Sequence, residues 1–231
     1  MDHIRLSPRL QMVADFVPPC ACAADIGTDH GYLPVWLLQS GVIQSAIAAD
    51  IHAGPLANAR QSVAAYDLEE RFRFVQADGL QFSGAQAADV IAIAGMGGET
   101  ICTILAAAPW LRQGKRLVLQ PQSKVPELAD WLWHNGFTIE DAALCRDAGK
   151  RYLALRVLGR VAAQSCTVEQ LLLRHRDPLL PEHLKEEIRR QKRARAGMVH
   201  AKQTPEAALA ALDARLSELE TCLKEVQTWQ S

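Results

Sequence analysis

The chain has 231 residues, 49% of them hydrophobic, and a formal net charge of −1. That length allows one α/β domain of average size with a smaller second unit, and the near-neutral charge excludes a uniformly basic nucleic-acid-binding protein. No apolar run reaches the roughly 20 residues that span a bilayer, and the first residues lack the apolar core of a signal peptide. We therefore expect a cytoplasmic protein with no membrane partner.

Short apolar runs rich in Val, Ile and Ala alternate with helical patterns up to residue 158. This alternation is typical of a parallel sheet built from strand–helix–strand units. Strands are predicted at 21–26, 45–50, 71–76, 88–94, 115–120, 137–145 and 151–158. Helices are predicted at 5–16, 31–40, 55–65, 98–108 and 124–135.

The last two predicted strands are separated by only a few residues, around 146–150. No helix fits between them, so they must pair as an antiparallel hairpin. Five parallel strands followed by such a hairpin form the Rossmann-like, seven-stranded sheet of class I methyltransferases. An ordinary dinucleotide-binding domain would instead end with another parallel strand. The predicted fold class is therefore α/β, with this sheet in a domain at 1–159.

Strand patterns stop after Gly159, and residues 160–231 are predicted to form a helical domain. A short helix is predicted at 167–175, with Asp177, Pro178 and Pro181 interrupting the chain after it. A basic helix at 182–202 follows. The cap sequence Thr204-Pro205-Glu206 then opens a second long helix.

The second long helix has a heptad seam, because apolar residues recur in it at alternating spacings of three and four. These residues are Leu209, Leu212, Leu216, Leu219, Leu223 and Val226. Two helices joined by a tight turn predict a coiled-coil-like antiparallel hairpin.

The charges of the chain are segregated, since residues 160–202 contain ten Lys and Arg against five Asp and Glu. The run from Arg189 to Arg195 has no acid at all. Such a run could be a solvated helix face, or it could pair with the acidic helix at 206–226. Arg189, Arg190, Arg193 and Arg195 are our candidates for contacts with RNA phosphates.

The strongest local motif is Asp25-Ile26-Gly27-Thr28-Asp29-His30-Gly31, which follows a predicted strand and opens a helix. Gly27 and Gly31 allow the backbone to approach a ligand closely. The two acids would repel a pyrophosphate but suit the cationic amino-acid end of S-adenosylmethionine. A plain strand–helix turn is the alternative.

Two further acids follow the next two strands. Asp50 ends the second strand, where an acid can accept hydrogen bonds from ribose hydroxyls. Asp78-Gly79 follows the third strand, where an Asp can reach an adenine amine. Either acid alone could be a helix cap, but three acids at the carboxyl ends of successive strands indicate one ligand crevice.

The fourth strand ends in the glycine-rich stretch Ala94-Gly95-Met96-Gly97, which suggests a flat ligand lying against the backbone. The Asn/Asp-Pro-Pro-aromatic tetrad of enzymes that methylate exocyclic base amines is absent from this position. Gln120-Pro121-Gln122, after the fifth strand, could contact a substrate or be a structural loop.

The six cysteines include no C-x-x-C pair, so we expect reduced thiols and no metal site.

Five segments, ADIGTDHGYLP, IAADIHAGPLANA, ADGL, IAGMGGE and LVLQPQ, closely resemble the bacterial tRNA adenine-22 N1-methyltransferases. The resemblance extends over about residues 5–158, and it implies S-adenosylmethionine as cofactor, tRNA as partner and a helical C-terminal domain. Arg9 lies in a matching segment and is a candidate substrate-binding residue. The candidate cofactor-binding residues are Asp25, Gly27, Thr28, Asp29, Gly31, Asp50, Asn58, Asp78, Gly79, Ala94, Gly95, Met96 and Gly97. We expect a monomer or weak dimer.

The chemistry that this resemblance implies needs little acid–base catalysis, because adenine N1 is already a nucleophile through its ring lone pair. The enzyme must hold N1 in line with the methyl group and stabilise the positive charge that develops on the base. Asp29 is the first candidate for that stabilisation and His30 the second, although His30 could simply be satisfied at a helix start. The target base must be flipped out of any RNA duplex.

Two other functions remain open from the sequence. A small-molecule methyltransferase would have the same sheet, but usually an aromatic-lined lid rather than a basic helix. A catalytically inactive module could bind RNA or a protein through its helical hairpin, although the acids at all three strand ends argue against it.

Overall fold

A computed structural model of the protein describes residues 3–162, 166–200 and 206–230. The chain divides into two compact units, Met1–Ser165 and Cys166–Ser231. The boundary predicted from the sequence, after residue 159, lies six residues earlier. The units are called the sheet unit and the helical unit below. No described helix is long and apolar enough to cross a membrane.

The sheet unit contains one seven-stranded sheet in the order β3-β2-β1-β4-β5-β7-β6. The strands are β1 Cys20–Ile26, β2 Ile43–Asp50, β3 Phe72–Gln76, β4 Val90–Gly97, β5 Arg116–Ser123, β6 Thr138–Asp147 and β7 Lys150–Leu158. All neighbours pair in parallel except β7, which lies antiparallel between β5 and β6. The predicted fold class and the terminal hairpin are confirmed.

Five α-helices flank the strands, namely α1 Pro8–Asp15, α2 Tyr32–Gln39, α3 Ala53–Ala64, α4 Gly98–Ala106 and α5 Val125–His134. The prediction that the first helix begins at residue 5 is wrong by three residues. The Ser7 side chain accepts a hydrogen bond from the Leu10 backbone N–H, and Pro8 follows it in the first turn. Cap and proline together fix the start of α1.

The core lies on both faces of the central strands, as expected of a parallel sheet covered by helices. In β4, Val90, Ile91 and Ile93 have no solvent exposure. Small residues alternate with these large ones, and Ala48 and Ala49 in β2 are also fully buried. Such small side chains let helices pack closely against the sheet.

The end of β4 differs from its prediction, because the strand continues past residue 94 to Gly97. Its pairing with β5 shifts register between Ala94 and Met96 and again between Met96 and Gly97. A bulge of this kind kinks the strand and interrupts the ladder. The glycine-rich stretch is thus the irregular end of a strand and not a separate loop.

The helical unit consists of α6 Val168–Arg174, α7 Leu180–His200 and α8 Glu206–Gln227. A capping box between Thr167 and Gln170 begins α6. Pro181 was expected to precede the second helix but lies in the first turn of α7, where a missing N–H costs no hydrogen bond. The predicted cap at Thr204 and Pro205 lies outside the described residues.

The predicted seam of α8 faces the interior of the helical unit, which packs α8 against α6 and α7. Leu216, Leu219 and Val226 are buried, and the other three seam residues are half-buried. From α7, Leu184 and Ile188 are buried as well. The coiled-coil-like pattern therefore serves a small helical core.

A charged cluster also joins the three helices of this unit. Glu169 in α6 is 4% exposed, and its carboxylate lies 2.7 Å from Arg215 Nη2 of α8 and 3.8 Å from His183 Nε2 of α7. Burial would raise the pKa of Glu169. Hydrogen bonds from His183 and Arg215, together with the Arg215 charge, outweigh burial and lower this pKa to about 2.

Candidate active site

The parallel strands β1, β2, β3 and β4 bring the predicted ligand-binding segments to one edge of the sheet. The register aligns Ile26 of β1 with Ala49 of β2 and with Ile93 of β4. Asp50 is aligned in turn with Gln76 near the end of β3. Asp25 and Asp50 therefore lie at the ends of β1 and β2, and Asp78 follows β3, all at the carboxyl edge, where ligands of open α/β sheets bind.

The loop after β1 is fixed by its neighbours on both sides. The backbone N–H groups of Gly27 and Thr28 both donate to the Ala49 carbonyl, at 2.8 and 3.1 Å. Gly27 has φ +78°, and a Cβ atom added to it would lie 2.0 Å from Met96 Cε. The first glycine loop and the bulged end of β4 are therefore in direct contact.

Gly31 and Gly79 have a packing role at this edge. Gly31 caps α2 with φ +68°, and a Cβ atom there would lie 3.3 Å from Ala59 Cβ of α3. A Cβ atom on Gly79 would lie 3.0 Å from two carbon atoms of the Ile104 side chain in α4. Both glycines let helices approach the strand-end loops, and this requirement was not evident from the sequence.

Asp25 is the most perturbed acid of the crevice. Burial raises its pKa, the Thr28 hydroxyl lowers it in part and the nearby Asp50 charge raises it, which gives a pKa of about 6. Within residues 3–162, no Lys, Arg or His side chain forms an ion pair with Asp25, Asp50 or Asp78. A cationic ligand is the partner that this group of carboxylates lacks.

The other acids differ in their surroundings. Asp50 Oδ1 accepts a hydrogen bond of 2.7 Å from the His52 backbone N–H, so one of its carboxylate oxygens is held in place. The Asp78 and Asn58 side chains are exposed, Asn58 on α3. Their predicted contacts with a cofactor stay predictions.

Asp29 and His30 lie at the mouth of the crevice. The Asp29 side chain is 73% exposed, the His30 side chain 45%, and His30 Nε2 lies 3.4 Å from Asp29 Oδ2. The His30 ring stacks on Tyr32 at a centroid distance of 5.1 Å. This exposure leaves both predicted catalytic groups accessible to a large substrate.

Arg9, on α1, reaches the carboxyl edge of the sheet next to Gly95. Arg9 Nη1 donates to Gln120 Oε1 at 2.9 Å, and its guanidinium carbon lies 5.7 Å from the centre of the Tyr152 ring. Gln120 has no solvent exposure, so it is a structural anchor of the strand end. Tyr152 was missed from the sequence, since only the antiparallel insertion of β7 brings it here.

The arginines predicted to contact RNA all lie on α7. Arg189, Arg190 and Arg193 are exposed, whereas Arg195 is half-buried and bonds both carboxylate oxygens of Asp213 in α8. Arg190 pairs with Glu187 at 2.8 Å. The pairing with the acidic helix that was considered from the sequence is thus present for one of the four arginines, Arg195, while Arg190 pairs within α7.

The sheet order, the antiparallel β7 and the acidic carboxyl edge together define a Rossmann-like methyltransferase domain. A family model for a methyltransferase domain matches residues 6–155, and the chain belongs to this family.

The chain is also similar to individual methyltransferases. The chain is 38% identical over 156 residues to the tRNA (adenine(22)-N(1))-methyltransferase of Bacillus subtilis, which covers 67% of this chain and 66%, just under two thirds, of that relative. The crystal structure of the B. subtilis M1A22 tRNA methyltransferase TrmK has a TM-score of 0.80 at 28% identity, covering 95% of this chain and 99% of that one. A putative tRNA (m1A22) methyltransferase of Streptococcus pneumoniae, solved with S-adenosyl-L-methionine, has a TM-score of 0.77 at 30% identity, covering 95% and 100%. The resemblance proposed from the sequence motifs is confirmed.

Proposed function

We propose that the protein transfers a methyl group from S-adenosylmethionine to N1 of an adenine in tRNA, at position 22. The observation that carries this proposal is the crevice of carboxylates that have no ion-pair partner among the described residues, formed by the same segments that resemble the adenine-22 methyltransferases. The relatives named above act on, or are assigned to, this nucleotide.

The crevice fits the cofactor, because the positive charge of the cofactor would balance the negative charges of the crevice carboxylates. Asp25 and the Gly27–Thr28 backbone would hold the cationic amino-acid end, Asp50 the ribose, and Asp78 the adenine. Gly95, Met96 and Gly97 would line the opposite wall. When bound, the cofactor supplies an activated methyl group on a sulfonium.

The chain's own residues then act on the substrate base. Adenine N1 needs no base to activate it, so the main task is to orient the ring. Asp29 can place a negative charge beside the base as positive charge develops there. His30, stacked on Tyr32, offers a flat polar surface at the same mouth.

The decisive experiment measures transfer of labelled methyl groups from S-adenosylmethionine to an unmodified tRNA that carries adenine 22. A matched tRNA with guanine at position 22 should accept none. Transfer to both tRNAs would make the assigned nucleotide wrong. Cofactor binding without transfer to any RNA would favour a small-molecule methyltransferase, and binding of neither ligand would favour an inactive module.

Replacing Asp29 with Ala should lower kcat by about tenfold to a hundredfold and change the affinity for S-adenosylmethionine much less. The reason is that an exposed carboxylate at the mouth acts on the charge that develops during transfer. Asp29→Asn, which keeps the shape, should lose nearly as much. Equal losses in cofactor affinity and turnover would make Asp29 a cofactor ligand only.

Reversing Arg189 and Arg193 to Glu should weaken tRNA binding and reduce its dependence on salt, without changing thermal stability. Each lost phosphate contact lowers the slope of log affinity against log salt by about 0.7–0.9. Arg195→Glu is unsuitable alone, because it would place an acid against Asp213 and loosen the helical unit.

A charge-matched control for this variant is Arg116→Glu with Arg160→Glu in the sheet unit. Both residues lie at the edge opposite the carboxyl ends of the parallel strands. If both double variants bind tRNA equally well, α7 does not contact RNA.

Light scattering of the purified protein tests the expected monomer or weak dimer.

A further inference from the structure

The carboxyl edge of the sheet carries opposite charges at its two ends. Because β7 runs antiparallel between β5 and β6, the turn that joins β6 to β7 lies at the same edge as the ends of β1 to β4. The half formed by β1, β2 and β3 carries the acids Asp25, Asp50 and Asp78. The other half ends in a turn flanked by Arg146 and Lys150.

Basic side chains predominate at this turn. Arg146 and Lys150 are exposed, and Arg146 pairs in register with Arg151. The acid of the turn, Asp147, faces inward to α1, where its Oδ2 accepts a hydrogen bond of 3.3 Å from the Arg9 backbone N–H. The turn and the start of α1 are therefore held together, with a net positive charge.

Arg9 is oriented over the end of β4 by a buried side chain. Gln120 uses both ends of its amide: Oε1 accepts from Arg9 Nη1 at 2.9 Å, and Nε2 donates to the Pro121 carbonyl at 3.0 Å. An amide that is buried and bonded at both ends has a fixed orientation. The direction of the Arg9 guanidinium is fixed with it.

Two donor groups meet above Gly95. A Cβ atom added to this glycine would lie 3.7 Å from Arg9 Nη1 and 3.7 Å from Gln122 Nε2. Within residues 3–162, no carboxylate forms an ion pair with the Arg9 guanidinium. The two donors therefore lie beside the glycine-rich wall, and this arrangement suits an anionic ligand.

We propose that Arg9, Gln122, Arg146 and Lys150, called the basic rim below, bind backbone phosphates of the RNA strand next to the target base. The inference rests on the proposed tRNA methylation and assigns part of RNA binding to the sheet unit itself. Phosphates are attracted to the basic rim and repelled by the acidic half of the edge. This polarity fixes which side of the crevice the strand crosses and leaves the acidic half to the cationic cofactor.

The test compares two double charge reversals that make the same change in net charge at different positions. Arg146→Glu with Lys150→Glu alters exposed residues of the basic rim. Arg116→Glu with Arg160→Glu makes the same charge change at the opposite edge, where Arg116 pairs in register with Leu158. Affinity for tRNA is measured by fluorescence anisotropy at several salt concentrations, S-adenosylmethionine affinity by calorimetry, and methyl transfer by steady-state kinetics.

The rim variant should bind tRNA at least about tenfold more weakly than the control, with a salt slope reduced by about 1.4–1.8 for two lost contacts. Its KM for tRNA should rise, while its affinity for S-adenosylmethionine should equal that of the wild type. A third variant, Arg9→Gln, should raise KM for tRNA without altering the salt slope by more than about one contact.

Three outcomes overturn the inference or separate it from the proposed function. Equal tRNA affinity and equal salt slope in the rim variant and its control would overturn the basic rim. A wild-type protein that binds tRNA but transfers no methyl group to it would contradict the proposed function, while the comparison of the two variants would still decide the rim. A wild-type protein that does not bind tRNA would overturn both.

Discussion

Asp25→Asn is expected to abolish measurable binding of S-adenosylmethionine while making the ligand-free protein more stable at neutral pH. The carboxylate of Asp25 is held close to Asp50 without a described cationic partner, and burial raises its pKa to about 6. An ionised group in such surroundings destabilises the ligand-free fold. Asn keeps the shape but removes the charge, so the destabilisation disappears together with the attraction for a cationic ligand.

The pH dependence of both effects follows from the direction of the shift. The pKa of Asp25 is about 6 in the folded protein, against 3.8 as its ordinary value. The folded state therefore holds a proton that the unfolded state has lost between these values, so the ligand-free protein gains stability as pH falls from about 6 towards 4. Over the whole window the gain is about 1–3 kcal/mol. Cofactor affinity should change in the opposite direction, because a protonated Asp25 no longer attracts the cation.

Calorimetry with S-adenosylmethionine and thermal unfolding of the ligand-free protein, each between pH 5 and 8, measure the two effects. Asp67→Asn is a matched control, since Asp67 is exposed in a turn before β3, at the other edge of the sheet. Its φ of 55° also tolerates Asn. Wild-type cofactor affinity in Asp25→Asn would make the cofactor assignment wrong. Unchanged stability would mean that Asp25 carries no unfavourable charge.

Glu169→Ala should destabilise the helical unit by about 3–5 kcal/mol, because it leaves the half-buried Arg215 without its carboxylate partner. Glu169 links α6 to α7 and α8, so its loss affects the whole unit. The pKa of Glu169 is lowered to about 2 in the folded state, below its ordinary value of 4.5. The stability that this carboxylate contributes is therefore complete above about pH 4.5 and is lost as pH falls through about 2.

A second partner of Arg215 provides the control. Glu218 lies 3.3 Å from Arg215 Nη1 but is 61% exposed, so Glu218→Ala should cost less than about 1 kcal/mol. Amide hydrogen exchange of α6, α7 and α8 reports the stability of this unit separately from that of the sheet unit. Equal loss of protection in the two variants would show that burial of Glu169 contributes nothing beyond a surface ion pair.

The sheet could be predicted from the sequence because parallel strands have a simple signature. Buried runs such as 90–93 are apolar throughout, and each is followed by a helical pattern. The bulge that extends β4 to Gly97 could not be predicted, since it depends on pairing with Pro121 and Ser123 of another strand. The heptad seam of α8 was also predictable, because the regular spacing of its apolar residues can be seen within one short stretch of sequence.

The acids of the crevice were also accessible from the sequence, because residues that follow parallel strands meet at one edge. The contacts of the opposite half were not. Gln120 could equally have been a loop residue until the structure placed it against Arg9, a partner 111 residues away. The pairing of Arg195 with Asp213 likewise depends on how α7 and α8 are aligned, which charge counts along the chain do not determine.

The ion pairs of α7 affect how strongly the protein attracts a polyanion from a distance. Arg190, Lys192 and Arg195 each lie against an acid, namely Glu187, Glu220 and Asp213. Beyond the Debye length of about 8 Å at physiological ionic strength, the fields of such pairs largely cancel. Long-range attraction from this helix then comes from its other charges, which include Arg189 and Arg193. The association rate of tRNA should therefore depend on ionic strength less steeply than the number of basic residues in the helix would suggest. On contact, a phosphate can replace the acid in an exposed pair. For the proposed contact with RNA, the helix thus has more charge available at short range than at a distance.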